Sequence, residues 1–257
     1  MTKLEKFSNR IRGNEEQLGL WTQIPNVIVA ENMAQSGADF LLVDGEHAPV
    51  PPHALLEFLP STERYDTPVL YRVAWNRIEL IKAAFDTGVN AVMVPMVNSG
   101  AEARAAVAAS KYPPACKRGI GAWRSSNYYQ NDAAYRKTAN AVTGVVLQIE
   151  TREALQSLDE IAATPGIDAL YIGPADLAMS LGIPLGQLND QLLDACKAVT
   201  AAAKKNGIGA GIDVASLDYL PAYRDLGMGL FTYRSDFGFI LDGSRAAVQQ
   251  FRSTRKA

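Results

Sequence analysis

Four groups of reactive side chains stand at the ends of short apolar runs: Asp44-Gly45-Glu46-His47, Arg72, Gln148-Ile149-Glu150 and Gly173-Pro174-Ala175-Asp176. Gln148 and Glu150 are two residues apart in a run of strand character, so their side chains share one face. Leu147 and Ile149 take the other face and suit packing against helices. A carboxylate held there is costly without a cation. Asp176, which follows the next apolar run, is placed to share one with Glu150. Oxygen donors with neither His nor Cys beside them suit a hard divalent ion such as Mg2+ or Mn2+ better than structural zinc. Taken singly, each residue has a plainer reading. Glu150 and Asp176 both lie where a helix begins, and acidic residues favour a first turn. Arg72 alone reads as an ion-pair residue, His47 as a structural histidine, and His53 as a helix start or surface residue.

The composition narrows the chemistry. Two histidines in 257 residues exclude a three-histidine metal site. No lysine lies in or closes a strand-like run, which disfavours a Schiff-base route. The two cysteines, Cys116 and Cys196, make no disulfide framework and suit a reducing cytoplasm. A net charge of −2 with no block of like charges points to small-molecule partners rather than nucleic acid or an acidic membrane. The first residues carry too many charges for a signal peptide, and no apolar run approaches the ~18 residues of a membrane span.

Eight strand-like runs, at 18–24, 39–45, 68–73, 91–97, 144–150, 169–173, 207–213 and 230–235, alternate with amphipathic stretches of helical period. The latter fall at 26–37, 52–63, 77–88, 100–111, 152–164, 188–205, 216–227 and 240–251, with Thr151 a capping candidate and Gly88 a stop signal. Eight alternations, with no linker or shift in composition, predict an α/β fold: one TIM (β/α)8 barrel domain spanning 1–257, an open doubly wound sheet being the alternative. In a barrel the strand-end residues meet at one mouth. One segment, 112–130, breaks the rhythm and suits a functional loop or a subunit contact.

The stretches LLVDGEHAP (41–49), VLYRV (69–73), IKAAFDTGVNAVMVPMV (81–97), KYPPACKRGIGA (111–122), LQIET (147–151) and GIDALYIGPADLAMSLG (166–182) resemble the class II, metal-dependent pyruvate aldolases of the 4-hydroxy-2-oxoheptanedioate and 2-dehydro-3-deoxyglucarate type. The resemblance spans most of the chain. It implies a lyase that reversibly cleaves a 4-hydroxy-2-oxo acid to pyruvate and an aldehyde, in a hexamer built as a trimer of dimers with the last helix exchanged. It implies that Glu150 and Asp176 hold Mg2+ or Mn2+, with Co2+ a third candidate. Gln148 and the backbone around Ala175 would contact pyruvate, His47 would be the base, Arg72 the enolate stabiliser, and Asp86 a residue raising His47 basicity from a neighbouring subunit. Asp44 competes for that last role. Trp21, Trp123, Tyr128 and the stretch from Phe231 to Phe239 are expected to shape the aldehyde pocket. The chain departs from the family at WRSSNYYQND (123–132) and LFTYRSDFGFI (230–240), which leaves the aldehyde open.

Three other readings compete. A citryl- or malyl-CoA-type lyase shares the barrel and metal pair but wants a basic surface for nucleotide phosphates, for which Lys117, Arg118 and Arg124 are the candidates. A non-catalytic barrel binding a 2-oxo acid would have lost a catalytic residue, yet His47, Arg72, Glu150 and Asp176 are present. A phosphate-binding isomerase would use Gly207 to Gly211, where small residues have a simpler packing explanation.

Overall fold

The computed structural model describes residues 3–254, with side chains from residue 6 onward. Eight parallel strands close into a barrel in sequence order: β1 (Gln17–Thr22), β2 (Phe40–Asp44), β3 (Val69–Arg72), β4 (Ala91–Val94), β5 (Gly144–Ile149), β6 (Ala169–Ile172), β7 (Gly209–Asp213) and β8 (Leu230–Ser235). Seven fall within the runs expected from sequence, and β1 begins one residue before its run of 18–24. β8 pairs with β1, so no open sheet edge remains.

The strands read as uniformly apolar because both faces are covered, yet their packing still alternates. Leu147, Ile149, Ile172 and Ile212 join the layer between barrel and helices. Phe40, Leu42, Leu70, Met93, Val146 and Tyr171 fill the interior. Space inside is won with glycine: a Cβ on Gly19 would sit 2.3 Å from the Phe40 ring, and one on Gly211 would sit 2.3 Å from the Leu230 carbonyl. Packing thus accounts for the small residues of β7.

Between the strands run α2 (Val27–Gln35), α3 (Leu55–Glu63), α4 (Ile78–Asp86), α5 (Gly100–Ser110), α6 (Asp132–Val142), α7 (Arg152–Gln156), α8 (Leu158–Ala162), α9 (Pro174–Leu181), α10 (Asp190–Lys205) and α11 (Leu220–Asp225), with α12 (Asp236–Ser253) at the end. Caps follow local chemistry. The Asn26 side chain accepts from Ile28 and Val29 amides, and Thr151 Oγ1 accepts from the Ala154 amide at 3.0 Å. Gly88 takes a φ of +94°, as a left-handed stop requires.

Three elements go beyond the expectation. The stretch 152–164 is two short helices rather than one, broken at Ser157. Helix α6 follows the irregular segment 112–130, which the sequence left without an element after Gln130. Helix α1 (Lys3–Arg12) precedes the first strand and closes the lower end of the barrel, its Phe7 and Ile11 packed among the interior residues. Helix α12 contrasts with the rest: Phe237, Phe239, Ile240, Leu241 and Val248 all remain exposed.

Candidate active site

Period-two alternation carries the interior face of each strand to a polar top layer. There Asp44, Arg72 and Gln148 end up side by side, although each belongs to a different strand. Asp44 and Arg72 are registered opposite each other, and the guanidinium grips the carboxylate with two bonds, Nε to Oδ1 at 3.0 Å and Nη2 to Oδ2 at 2.9 Å. Asp44 is fully buried and the Arg72 side chain is 8% exposed. Burial works against both charges, but the Arg72 bonds and charge, with Gln23 and the Glu46 amide, hold Asp44 below its usual pKa. Burial likewise opposes the Arg72 cation, and Asp44 outweighs it.

The remaining nitrogen of Arg72, Nη1, lies 3.2 Å from Glu46 Oε2, and its Cζ sits 4.5 Å from the Trp21 ring centre. The guanidinium is therefore fixed on three sides. The turn that delivers Glu46 and His47 depends on Gly45, where a Cβ would meet the Tyr71 hydroxyl at 2.2 Å.

Glu150 sits just past β5, buried. Its Oε1 accepts from the Met96 amide and its Oε2 from the Gln148 side chain, both at 2.7 Å. Met96 reaches it from a left-handed backbone with φ of 54°, a conformation that costs a non-glycine residue free energy and recurs at functional sites. Burial, followed by the charges of Glu46 and Asp176, pushes Glu150 up to about 7 despite the Met96 bond. Burial also raises Glu46. Asp176 lies exposed in the first turn of α9, and no protein donor reaches its carboxylate among the described residues. Gly173 lies between the two: a Cβ there would stand 2.3 Å from Glu150 Oε2.

Glu150 and Asp176 fit a hard divalent cation. Repulsion between neighbouring carboxylates is the signature of a place built for positive charge, and every donor is an oxygen. Among the described residues no group of three or more His, Cys, Asp or Glu side chains could hold a metal, so substrate and water oxygens would complete the shell.

A cavity of about 470 Å3 opens over this layer, lined by Trp21, Gln23, His47, Arg72, Gln148, Ala175 and Asp176. Five more residues line it, Tyr171, Asp213, Tyr233, Arg234 and Phe237; Tyr233, Arg234 and Phe237 fall within the Phe231 to Phe239 stretch expected from sequence, whereas Tyr171 and Asp213 were not singled out as binding residues. Phe231 itself packs in the outer core. Trp123 and Tyr128 are exposed and pack edge to face on each other, away from the cavity.

The support expected for His47 takes a different form within the chain. Its side chain is 62% exposed, with Nε2 3.7 Å from Glu46 Oε1. Asp44 receives only the His47 backbone amide, at 3.2 Å, because its carboxylate is committed to Arg72 and Gln23. Asp86 ends α4, which runs back from the mouth towards the lower end of the barrel, and its carboxylate bonds Arg118 at 2.9 Å. Neither aspartate meets the imidazole. Glu46, quoted in the strand-end group but given no role, is the carboxylate beside it.

The basic surface wanted by a CoA-type lyase is not assembled. Arg118 is completely buried, stacked on Phe85 and Tyr112 at 5.0 and 4.4 Å. Arg124 is paired with Glu63 at 2.8 Å. A buried lysine does exist, Lys111, but its Nζ bonds the carbonyls of Asn140 and Thr143 ahead of β5, at the barrel end opposite the mouth. It offers no Schiff-base route.

A parallel eightfold barrel with carboxylates, an arginine and a histidine converging on its upper mouth defines a class of enzyme scaffold, and comparison with known proteins narrows it. The model of the HpcH/HpaI aldolase/citrate lyase family matches residues 17–220, and the chain belongs to that family. It is 38% identical over 207 residues to a hydroxypyruvate/pyruvate aldolase of Sagittula stellata, covering 80% of this chain and 82% of that one. It is 33% identical over 251 residues to a 4-hydroxy-2-oxo-heptane-1,7-dioate aldolase of Salmonella typhimurium, covering 97% and 95%. The fold matches a solved HpcH/HpaI aldolase/citrate lyase family protein from Burkholderia cenocepacia with a TM-score of 0.90 at 32% identity, covering 96% of this chain and 99% of that one.

Proposed function

We propose that the protein is a metal-dependent aldolase that reversibly cleaves a 4-hydroxy-2-oxo acid into pyruvate, or a related 2-oxo acid, and an aldehyde. The observation that carries this reading is the triply held Arg72 and Asp176 lining one cavity, with the buried Glu150 close enough to feel the charges of both. A divalent ion held by Glu150 and Asp176, Mg2+, Mn2+ or Co2+, would supply Lewis-acid polarisation of the 2-oxo acid.

The chain's own groups account for the rest. The start of α9 turns backbone amides at Ala175 and Asp176 towards the cavity, where a helix N-terminus favours a carboxylate. Gln148 stands beside them. Arg72 places a fixed cation against the C2 oxygen, so negative charge arising there as the C3–C4 bond breaks meets a preorganised partner. His47, at the mouth, takes the proton of the 4-hydroxyl in cleavage and returns it to C3 of the enolate, making the pyruvate methyl; in synthesis the two transfers run in reverse. Glu46 restrains that ring, while Trp21 walls the pocket over Arg72.

With Mn2+ or Mg2+ in D2O, the pyruvate methyl protons are expected to exchange, followed by proton NMR, and 4-hydroxy-2-oxo acids to release pyruvate in a coupled assay. EDTA should stop both. Full activity in EDTA would sink the metal-dependent mechanism.

The exposed apolar side of α12 supports assembly into a hexamer, a trimer of dimers that exchange this helix, in which Asp86 would approach His47 of a neighbour. Light scattering during gel filtration should give six chains, and a monomeric mass would refute it. No helix among the described residues is long and apolar enough to cross a membrane, and two free cysteines fit a cytoplasmic location.

A further inference from the structure

The end of β7 presents a carboxylate that the reaction outlined above leaves without a task. Alternation sends Gly209, Gly211 and Asp213 inward and Ala210 and Ile212 outward to the helix layer. Asp213 therefore stands in the same top layer as Arg72 and Gln148, and lines the same cavity. Ile212 is registered with Ile172, which sets Asp213 beside Gly173 at the start of α9. From β1, two strands round the barrel, the Trp21 indole N–H donates to Asp213 Oδ1 at 2.7 Å, and the hydroxyl of Thr232 on the adjacent β8 donates to the same oxygen at 2.7 Å. Trp21 in turn covers Arg72. Asp213 thus flanks the space between the α9 amides and the Arg72 guanidinium, where the carbonyl and adjacent carbon of a 2-oxo acid belong.

Both side-chain donors converge on Oδ1. Oδ2 receives no side-chain donor among the described residues, and burial raises the carboxyl above its ordinary pKa although the Thr232 and Trp21 bonds, the Arg72 charge and the neighbouring Val214 amide all oppose it. Holding an acid in a barrel interior, where an apolar side chain would pack without penalty, is costly unless its acceptor capacity is used. A carboxylate at this point repels a substrate carboxylate or phosphate, and a methyl group leaves it unsatisfied. A neutral hydroxyl satisfies it.

We infer that Asp213 is a specificity-determining residue that accepts a hydrogen bond from a hydroxyl group of the substrate through Oδ2. The inference rests on the aldolase reading and deepens it. Two carbons can carry that hydroxyl: C3 of a 3-hydroxy-2-oxo acid used as donor, or the carbon next to the carbonyl of a hydroxyaldehyde used as acceptor.

Two substrate pairs separate these sources. Hydroxypyruvate against pyruvate, with one unhydroxylated aldehyde, tests the donor; glycolaldehyde against acetaldehyde, with pyruvate, tests the acceptor. In the unaltered enzyme kcat/KM should favour the hydroxylated member of one pair, and Asp213→Leu should reduce that preference roughly 10- to 100-fold, the size expected for one hydrogen bond to a charged group. Asp213→Asn keeps an oxygen for the Trp21 indole and should restore overall turnover more than it restores the preference. Should the leucine variant not fold, Asp213→Ala replaces it. A preference unchanged within about twofold in both pairs, or an equal fall for all four substrates, would mean that Asp213 only supports Trp21 and would overturn the inference. An unaltered enzyme that forms no aldol product from any pair would remove the aldolase reading, and this inference with it.

Discussion

Glu150→Gln is expected to reduce metal-dependent turnover at least 10^3-fold while leaving a folded barrel, since both catalytic rate and metal affinity depend on that carboxylate. The structure supplies a reason why the fold should tolerate the change. Gln148 Oε1 is buried without a partner, whereas its Nε2 donates to Glu150. A glutamine at 150 can keep its oxygen on the Met96 amide and offer its nitrogen to Gln148, provided the Gln148 amide turns over. The turn pairs Gln148 Oε1 and puts its Nε2 where the oxygen now lies unpaired, so the number of unpaired groups stays the same.

The metal-free stability carries a sign of its own. Glu150 titrates near 7 instead of 4.5, so the folded state binds its proton more tightly than the unfolded state. Stability of the chelated protein should fall as pH rises from 4.5 through 7, by a contribution on the order of 3 kcal/mol for a shift of this size. Glutamine removes that loss. Thermal melts in EDTA at pH 5 and pH 8 should therefore diverge less for Glu150→Gln than for the parent, while calorimetry with Mn2+ shows affinity weakened about 100-fold or more. Asp176→Asn should lose turnover to a similar degree. Mn2+-dependent activity retained within tenfold in either variant would take that residue out of the metal site.

Arg72→Lys should lower kcat roughly 10^2- to 10^3-fold, the usual cost of losing a preorganised charge donor. Lysine keeps the charge but not the fork. Arg72 uses Nε and Nη2 on Asp44, Nη1 on Glu46 and its flat face on Trp21, and an ammonium cannot serve those directions at once. KM for the 2-oxo acid should rise less than kcat falls, because the C2 oxygen gains most of its charge only as the bond breaks. Arg72→Ala adds a second penalty. It strands the fully buried Asp44 without its cation, at about 3–5 kcal/mol, so that variant should also melt early. A kcat for Arg72→Lys within threefold of the parent would remove Arg72 from the chemistry.

The barrel could be read from sequence because buried parallel strands announce themselves as short β-branched runs bounded by Gly, Pro, Asp and Asn, and all eight did so. Arg72, Gln148 and Glu150 were legible for the same reason, since a polar residue closing such a run has nowhere to go but the mouth. The same rule applied to GIGAGID would have reached Asp213, which closes its run as Arg72 closes another; the glycines before it drew attention to packing instead. Glu46 was visible as a letter but not as a neighbour of Arg72 and His47, because that adjacency depends on how the turn at Gly45 folds. Asp86 shows the opposite limit. A helix-end position gives no hint of Arg118, which comes from an irregular segment and lies buried against two rings. Helix α1 escaped notice because its charges mask the spacing of Phe7 and Ile11.

That first helix has a consequence for how the molecule is made. Its seat is formed by residues of β2, β3, β4, β5, β6 and β8, from Phe40 to Leu230, and Asn14 just beyond it bonds the Gly227 carbonyl and the Ala210 amide. On the ribosome this helix therefore emerges before any strand of the barrel and waits, its apolar side without a partner, until β8 has followed. Order of synthesis and order of assembly are opposed. This helix is the stopper that is fitted after the vessel has been closed, and closure itself joins Gln17 to Leu230, the kind of distant pairing that makes folding slow.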